Sequence, residues 1–223
     1  MSQLLWDIAK KNIYDYLSQE HLSRTSVVNI KENTVFIPAT AQKNIDLYYI
    51  LKGTLDVLSQ SYSGHRFIID PLGPNEFVGK FSQMRQQHFY SEVKTNTPCT
   101  LLKLTAIRNE LMNDERFLLF FCIKTSNRLY EMYKISMVRT LFPYHEILAY
   151  NLINLANKSG FISDTGTNIC LKTNISERHY YYLIKKLRDK QIISLTKKGI
   201  SIRDMAALTA IADNVTKFMT NQV

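Results

Sequence analysis

The sequence predicts an α+β fold in which an antiparallel β-roll of the jelly-roll kind is followed by one long helix and by a C-terminal helix-turn-helix with a small β-hairpin. Between residues 27 and 104, short runs rich in Val, Ile, Tyr, Phe and Thr alternate with turn signals such as Lys52-Gly53, which is typical of an antiparallel roll. Residues 114–137 contain neither glycine nor proline and predict the long helix. From residue 168 onward, two short helical patterns precede an alternating segment.

These patterns divide the chain into two predicted domains joined by the long helix. An amphipathic helix is expected over residues 3–20, because Leu4, Ile8 and Leu17 lie on or near one side of it. Leu141-Phe142-Pro143 predicts a hinge, since proline disfavours helix at the residue before it. The predicted boundaries are residues 1–113 for the β-roll with its N-terminal helix, 114–138 for a dimerisation helix, and 139–223 for the helix-turn-helix domain.

The second helix of the helix-turn-helix carries the most specific signal in the chain. Its apolar residues Tyr180, Leu183, Ile184 and Leu187 recur at i, i+3, i+4 and i+7 and predict one buried stripe. Ser176 is a good N-cap for this helix. The opposite face is charged and aromatic and suits the major groove of DNA; it is centred on Arg178, Tyr182, Lys185 and Asp189, with Tyr181 and Lys186 at its flanks.

The segments on either side complete a winged helix-turn-helix. A short helix over residues 168–175, with Thr165 as a possible cap, ends at an Asn that tolerates the left-handed backbone of a tight turn. The segment ISLTKKGISIR alternates around Lys197-Lys198-Gly199 and predicts a hairpin with a basic tip. A solvated surface helix is the alternative for the basic helix alone, but the order of all the parts favours DNA binding.

The charge distribution favours a polyanionic partner for the C-terminal part. The net charge is +9 at pH 7, and residues 139–223 hold 12 Lys and Arg against 6 Asp and Glu. Binding to phosphates should therefore weaken steeply with salt; a membrane surface is the rival polyanion. No cleavable apolar segment begins the chain and no apolar run reaches the roughly 20 residues that span a bilayer, so we expect a cytoplasmic protein without membrane association.

Motifs for catalysis or metal binding are not found in the sequence. Cys99, Cys122 and Cys170 are widely separated, without the spacing of a zinc or iron–sulfur site, and are expected to be reduced structural thiols; thiol sensing by Cys99 or Cys122 is the alternative. The five histidines are scattered. Phosphate-binding Gly-rich loops, HExxH and GxSxG are all missing. We expect neither an enzyme nor a bound metal or cofactor.

Three segments carry a resemblance to a known family. DLYYILKGTLDVLS, HRFIIDPLGPNEFVGKF and SEVKTNTPCTLLKLT resemble, in order, the cyclic-nucleotide-binding-like β-roll of the Crp/Fnr transcription regulators. The matching points are the turn at Gly53, the Leu-Gly-Pro turn at Leu72 to Pro74, and Phe77 to Gly79. The C-terminal half resembles the family's winged helix, and the YeiL-like branch is the one suggested.

The resemblance implies an effector pocket near Gly79, where this chain departs from the cyclic-nucleotide binders. Lys80 stands where those proteins have a glutamate that holds the ribose. Phe89 and Tyr90 stand around the place of the arginine that holds the cyclic phosphate. A cyclic phosphate without a guanidinium would be an uncompensated buried charge. The sequence therefore predicts a roll that does not respond to cAMP and whose effector, if one exists, is unknown.

The resemblance also implies a homodimer on an inverted-repeat operator. In this family the long helix forms a two-fold interface, here assigned to Phe117, Leu118, Phe121, Leu129, Met132 and Tyr133. The first, second and sixth residues of the recognition helix reach bases, here Glu177, Arg178 and Tyr182. We expect Arg178 to read guanine, Glu177 cytosine and Tyr182 a thymine methyl. Phosphate contacts are assigned to Ser176, His179, Lys185, Lys186, Lys197 and Lys198.

The predicted function is thus a sequence-specific, DNA-binding transcriptional regulator. RNA polymerase is a further partner if the protein is an activator. A ligand- or protein-binding module whose basic C-terminal face meets an acidic partner is the alternative.

Overall fold

A computed structural model describes residues 11–38, 46–60, 66–79 and 91–220. The chain divides into two compact units, Met1–Met132 and Tyr133–Val223. We call the first the roll unit and the second the winged-helix unit. The long helix runs from one to the other. Within the described part of the chain, no helix is long and apolar enough to cross a membrane.

The start of the roll unit differs from the prediction of one amphipathic helix over residues 3–20, of which residues 3–10 lie outside the described part. Ile13–Tyr16 form a 3₁₀ turn and Gln19–Ser23 form a separate short helix, α1. The break occurs because Ser18 adopts an extended backbone and caps α1, its hydroxyl accepting from the amide of His21. Ile13 is fully buried in the core of the unit.

The antiparallel β-roll is present, as predicted. Its described strands are β1 Ser26–Ile30, β2 Val35–Ile37, β3 Leu47–Lys52, β4 Leu55–Gln60, β5 Arg66–Leu72, β6 Phe77–Gly79, β7 Ser91–Thr95 and β8 Cys99–Lys103. They form two four-stranded antiparallel sheets, one with the order β1-β8-β3-β6 and the other with the order β2-β7-β4-β5.

The turn between β3 and β4 requires glycine. Gly53 has a φ of +91°, and a Cβ atom there would lie 2.5 Å from the carbonyl oxygen of Pro98 and 2.6 Å from Cys99 Sγ. Only glycine adopts this conformation at such a close approach without strain. This turn packs against Cys99, whose side chain is buried. The burial raises the pKa of the Cys99 thiol. Cys99 is therefore buried, as expected of a structural thiol.

The helical layer of the roll unit contains α2, Arg108–Asn113, and the long helix α3, Glu115–Leu141. Phe117 and Phe121 pack their rings against Phe77 of β6, with centroid separations of 6.1 and 5.0 Å. They are 0% and 8% exposed and belong to the core of the roll. This corrects their assignment to a dimer interface, since core packing already covers them.

Other apolar side chains of α3 remain exposed. Leu118 is 41% exposed, Leu129 65% and Tyr133 62%. Met132 is half-buried, and Cys122 is exposed on the same helix. The apolar density of α3 thus serves two purposes, because one set of side chains fills the roll core and another faces outward.

The described part of the winged-helix unit, residues 133–220, contains four helices and a three-stranded sheet. Its helices are α4 Tyr144–Leu155, α5 Gly166–Thr173, α6 Glu177–Asp189 and α7 Met205–Thr220, and its strands are β9 Phe161–Ile162, β10 Ile193–Thr196 and β11 Gly199–Ile202. The strand order is β10-β11-β9. Helix α7 was not among the predicted elements.

Two cations of α3 fix its C-terminal part within this unit. Lys134, which is buried, donates from Nζ to the carbonyl oxygen of Met219 at 2.8 Å, and Arg139 donates to that of Lys172 at 3.0 Å. Both acceptors lie in the last turn of a helix, where carbonyl groups lack intrahelical partners and favour cations. Helix α3 ends at Leu141, and α4 begins after Pro143, so the helix break predicted at this point is present.

Candidate functional site

The turn between α5 and α6 is fixed by three local devices. The Thr165 hydroxyl accepts from the amide of Asn168 at the start of α5. Asn174 adopts the left-handed conformation at its end, with a φ of 57°. The Ser176 hydroxyl accepts from the amide of His179 and caps α6. The predicted helix-turn-helix is therefore present, with α5 beginning two residues earlier than expected.

The buried stripe of α6 is the predicted one. Its members are 3–7% exposed and belong to the core of the unit: Tyr180, Leu183, Ile184 and Leu187. Burial raises the pKa of Tyr180 to about 12. It also raises the pKa of Cys170 to about 11, with the nearby charge of Glu177 as a second cause. This apolar contact sets the rotation of α6, so that the opposite face must point outward.

The outward face of α6 carries the predicted base-contact residues. Arg178 and Tyr182 are exposed, and Arg178 forms no ion pair with any described residue. Glu177 is exposed too, although its Oε1 accepts from the hydroxyl of Thr167 at 3.2 Å. That bond leaves the second carboxylate oxygen available. The three residues lie on the first two turns of one helix.

Aromatic side chains give this face a partly fixed shape. Lys186 Nζ lies 4.5 Å from the centroid of the Tyr182 ring. The His179 ring packs against Tyr144 at 5.2 Å and against Tyr182 at 5.8 Å. His179 therefore has a packing role within the unit, and its phosphate contact stays a prediction. Tyr144, which is half exposed, was missed because it lies outside the helix-turn-helix pattern.

The predicted hairpin is also present. Strands β10 and β11 pair antiparallel, with Thr196 opposite Gly199. Lys197 and Lys198 form the exposed tip between them. Gly199 is required here because a Cβ atom would collide with the carbonyl oxygen of Ile162 on β9. The winged-helix unit thus carries four of the predicted phosphate-contact lysines in exposed positions: Lys185, Lys186, Lys197 and Lys198.

The roll unit contains a cavity of about 690 Å³, lined by several strands and by α3. Gly79, one of the residues predicted for an effector pocket, lies in its wall. Lys80, Phe89 and Tyr90 lie outside the described residues. The wall also includes Asp70, Glu76, Lys124 and Arg128, which sequence reasoning missed, because no local pattern links positions so far apart in the chain.

The elements of these two units identify a known fold. A roll of two antiparallel sheets, a long helix and a winged helix-turn-helix form the fold of the Crp/Fnr transcriptional regulators. Residues 27–110 match the family model described as cyclic nucleotide-binding domain.

Individual relatives agree with this class. The regulatory protein YeiL of Escherichia coli O157:H7 is 22% identical over 179 residues, which cover 79% of this chain and 81% of that protein. A Eubacterium rectale protein described as a Crp/Fnr-family transcriptional regulator has a TM-score of 0.76 at 10% identity, covering 90% of this chain and 97% of its own. The c-di-GMP-responsive global regulator CLP of Xanthomonas campestris has a TM-score of 0.68 at 15% identity, over 82% and 96%. The resemblance of the fold to the Crp/Fnr regulators is confirmed.

Proposed function

We propose that the protein is a homodimeric, sequence-specific DNA-binding transcriptional regulator that acts in the cytoplasm and does not respond to cAMP. The exposed face of α6 carries this proposal: a capped helix whose rotation is fixed by its buried stripe presents Arg178 and Tyr182 to solvent. In a winged helix-turn-helix, such a helix enters the major groove.

The contacts with DNA are divided between bases and phosphates. We assign base contacts to Glu177, Arg178 and Tyr182, because side chains on the first turns of a recognition helix reach furthest into the groove. We assign phosphate contacts to Ser176, His179, Lys185, Lys186, Lys197 and Lys198. The Ser176 hydroxyl already accepts from an amide, so its contact would use its remaining donor.

The dimer is supported by the exposed apolar side chains of α3. Leu118, Leu129 and Tyr133 together leave an apolar strip on one helix, and a second copy of that strip could cover it. Met132 lies beside the strip. A two-fold dimer presents two recognition helices about 34 Å apart, which requires an inverted repeat.

Selection of bound sequences from a random duplex library tests the DNA-binding proposal. We expect enrichment of an inverted repeat, and binding to that repeat should survive an excess of random duplex. If random duplex competes equally, the basic face binds charge alone, and an acidic protein partner becomes the better interpretation. If the protein activates transcription from the operator that it binds, RNA polymerase is a further partner.

Sedimentation of Leu129→Asp tests the dimer. We expect a shift towards monomer, because the charge would have to be buried at the interface. Val27→Asp, which changes a similarly exposed apolar residue on β1, should leave the oligomeric state unchanged. A wild-type protein that sediments as a monomer at micromolar concentration would contradict the proposal.

A further inference from the structure

Tyr144 begins α4 beside the outward face of α6. Pro143 precedes it with a φ of −63° and a ψ of 145°, so the extended chain turns into the helix at a fixed point. One turn further along α4, Leu148 is fully buried in the core that also contains Tyr180 of α6. Residues four positions apart lie on one side of a helix. The backbone of Tyr144 is therefore held by the core, although its side chain is half exposed.

Three aromatic side chains connect this point of α4 to the outward face of α6. The His179 ring lies between the other two, with its centroid 5.2 Å from that of Tyr144 and 5.8 Å from that of Tyr182. On the other side along the helix, Lys186 Nζ lies 4.5 Å from the centroid of the Tyr182 ring. We call Tyr144, His179 and Tyr182 the aromatic row.

Tyr144 differs from the other members of the row in its origin. His179 and Lys186 are the neighbours of Tyr182 at i−3 and i+4, and both project from α6 itself. They restrict the Tyr182 ring but give it no reference point outside its own helix. Tyr144 comes from a second helix whose buried side chains share a core with α6. The row thus relates an exposed side chain of the recognition helix to the core of the unit.

We infer that Tyr144 is a positioning residue for base recognition, which holds the Tyr182 ring in one rotamer through His179 before DNA binds. Ordering a half-exposed side chain on binding costs conformational entropy, and a ring that is already ordered avoids that cost. The inference rests on the proposed DNA-binding function and adds to it a residue outside the helix-turn-helix. The alternative is a surface contact that contributes to stability alone.

A measurement on the free protein tests the positioning step without DNA. Three-bond couplings in protein that contains isotope-labelled tyrosine report the χ1 rotamer of Tyr182, and Tyr182→Phe identifies its signals. We expect one rotamer in the wild type and in Tyr144→Phe, which keeps the ring contact with His179. In Tyr144→Ala the couplings should be averaged over several rotamers, because the row has lost its first member.

Competition among single-base-pair variants of the selected operator tests the effect on recognition. Tyr182→Ala and Arg178→Ala first identify the base pair that each residue reads. Tyr144→Ala should then lower discrimination about threefold at the Tyr182 base pair, the factor expected of one ring contact. Discrimination at the Arg178 base pair should stay unchanged. Tyr144→Ala/Tyr182→Ala should discriminate as Tyr182→Ala does, because both changes act through the same contact.

Tyr14→Ala is the matched control. Tyr14 and Tyr144 have the same exposed fraction, 47%, but Tyr14 lies in the roll unit. Its loss should change neither the Tyr182 couplings nor the discrimination at either base pair. Circular dichroism checks that each variant is folded. Tyr144→Leu, which keeps an apolar side chain at the start of α4, takes the place of Tyr144→Ala if the alanine variant does not fold.

Two results would overturn the inference. One is a Tyr182 ring that is averaged in the wild type, or that keeps one rotamer in the folded Tyr144→Ala. The other is an equal loss of affinity for all operator variants in Tyr144→Ala, which would assign the effect to phosphate contacts. A wild type without any sequence preference would contradict the proposed function itself. The rotamer couplings, measured without DNA, distinguish that failure from a failure of the positioning step.

Discussion

The cavity wall and the exposed face of α6 contain similar charged side chains in opposite electrostatic situations. In the wall, Arg128 is committed to Asp70, Pro71 and Glu76. On α6, Arg178 and Lys185 form no ion pair with any described residue. Removing one partner of a buried pair destabilises the chain, because the other charge stays buried without compensation, whereas an exposed charge without a partner is available for binding. The comparison assigns different roles to two arginines that look alike in the sequence.

Replacing Arg128 should produce the largest effect. Arg128→Met leaves Asp70 and Glu76 without their shared cation, and we expect a loss of about 3 kcal/mol of unfolding free energy. Burial already raises the pKa of Glu76, and loss of the neighbouring cation should raise it further above its value in the unfolded chain. A raised pKa means that the folded state binds protons more readily, so the loss should be greater at neutral pH than near the ordinary carboxylate pKa of about 4.

Urea unfolding at several pH values measures this loss. Arg66→Met is the matched control, since Arg66 pairs with Glu92 at the surface of the same unit and should contribute less than about 1 kcal/mol. If Arg128→Met and Arg66→Met lose the same unfolding free energy, Arg128 behaves as a surface residue. That result would contradict the contrast between the cavity wall and the exposed face of α6.

Replacing Arg178 should change recognition without changing stability. For Arg178→Ala we expect a loss of about 1–3 kcal/mol of discrimination at one base pair of each half-site. The free energy of unfolding should stay within about 0.5 kcal/mol of the wild type. Competition among single-base-pair variants of the selected operator measures the first quantity. Unchanged discrimination would remove Arg178 from the base contacts.

Replacing Ser176 separates a capping role from a contact role. Ser176→Ala should destabilise the winged-helix unit by about 1 kcal/mol, because the amide of His179 loses its acceptor. Ser176→Asn should restore most of this loss, since asparagine is an equally good cap. Thermal unfolding gives both numbers. If Ser176 contacts DNA but does not cap α6, the wild type, Ser176→Ala and Ser176→Asn should have the same unfolding temperature.

Replacing Lys198 should have the smallest effect, and that effect should not depend on sequence. Lys198→Ala should weaken binding to every duplex alike and lower the slope of log affinity against log salt by about 1. Lys217→Ala is the control, because this exposed lysine already pairs with Asp213 on α7. If both variants reduce the slope equally, binding depends on total charge rather than on the hairpin tip.

Local signals in the sequence were sufficient to predict the helix-turn-helix and the hairpin of the winged-helix unit, although not α7. The stripe of α6, the caps at Thr165 and Ser176, and the left-handed Asn174 each depend on residues within a few positions of one another. The turn at Gly53 was predictable for the same reason. Interactions of this kind are encoded by spacing, so they can be recognised without knowledge of the tertiary structure.

The cavity wall could not be predicted in this way. Asp70, Glu76 and Arg128 are in contact because β5, the turn before β6 and α3 pack together. Their spacing in the sequence does not indicate this contact. The periodicity of α3 identified apolar positions but not the surface that covers each one. Phe117 and Phe121 were therefore assigned to a dimer interface although they complete the core of the roll.

The placement of the three cysteines has a practical consequence. Cys99 and Cys170 are buried, and burial raises the pKa of both thiols, whereas Cys122 stands exposed on α3. A maleimide dye should therefore attach at one native position without any engineered mutation. Cys122 lies one helical turn from Leu118, on the face of α3 that is proposed to pair, so its rate of labelling should fall as protein concentration rises and should report how fully a second copy covers that face.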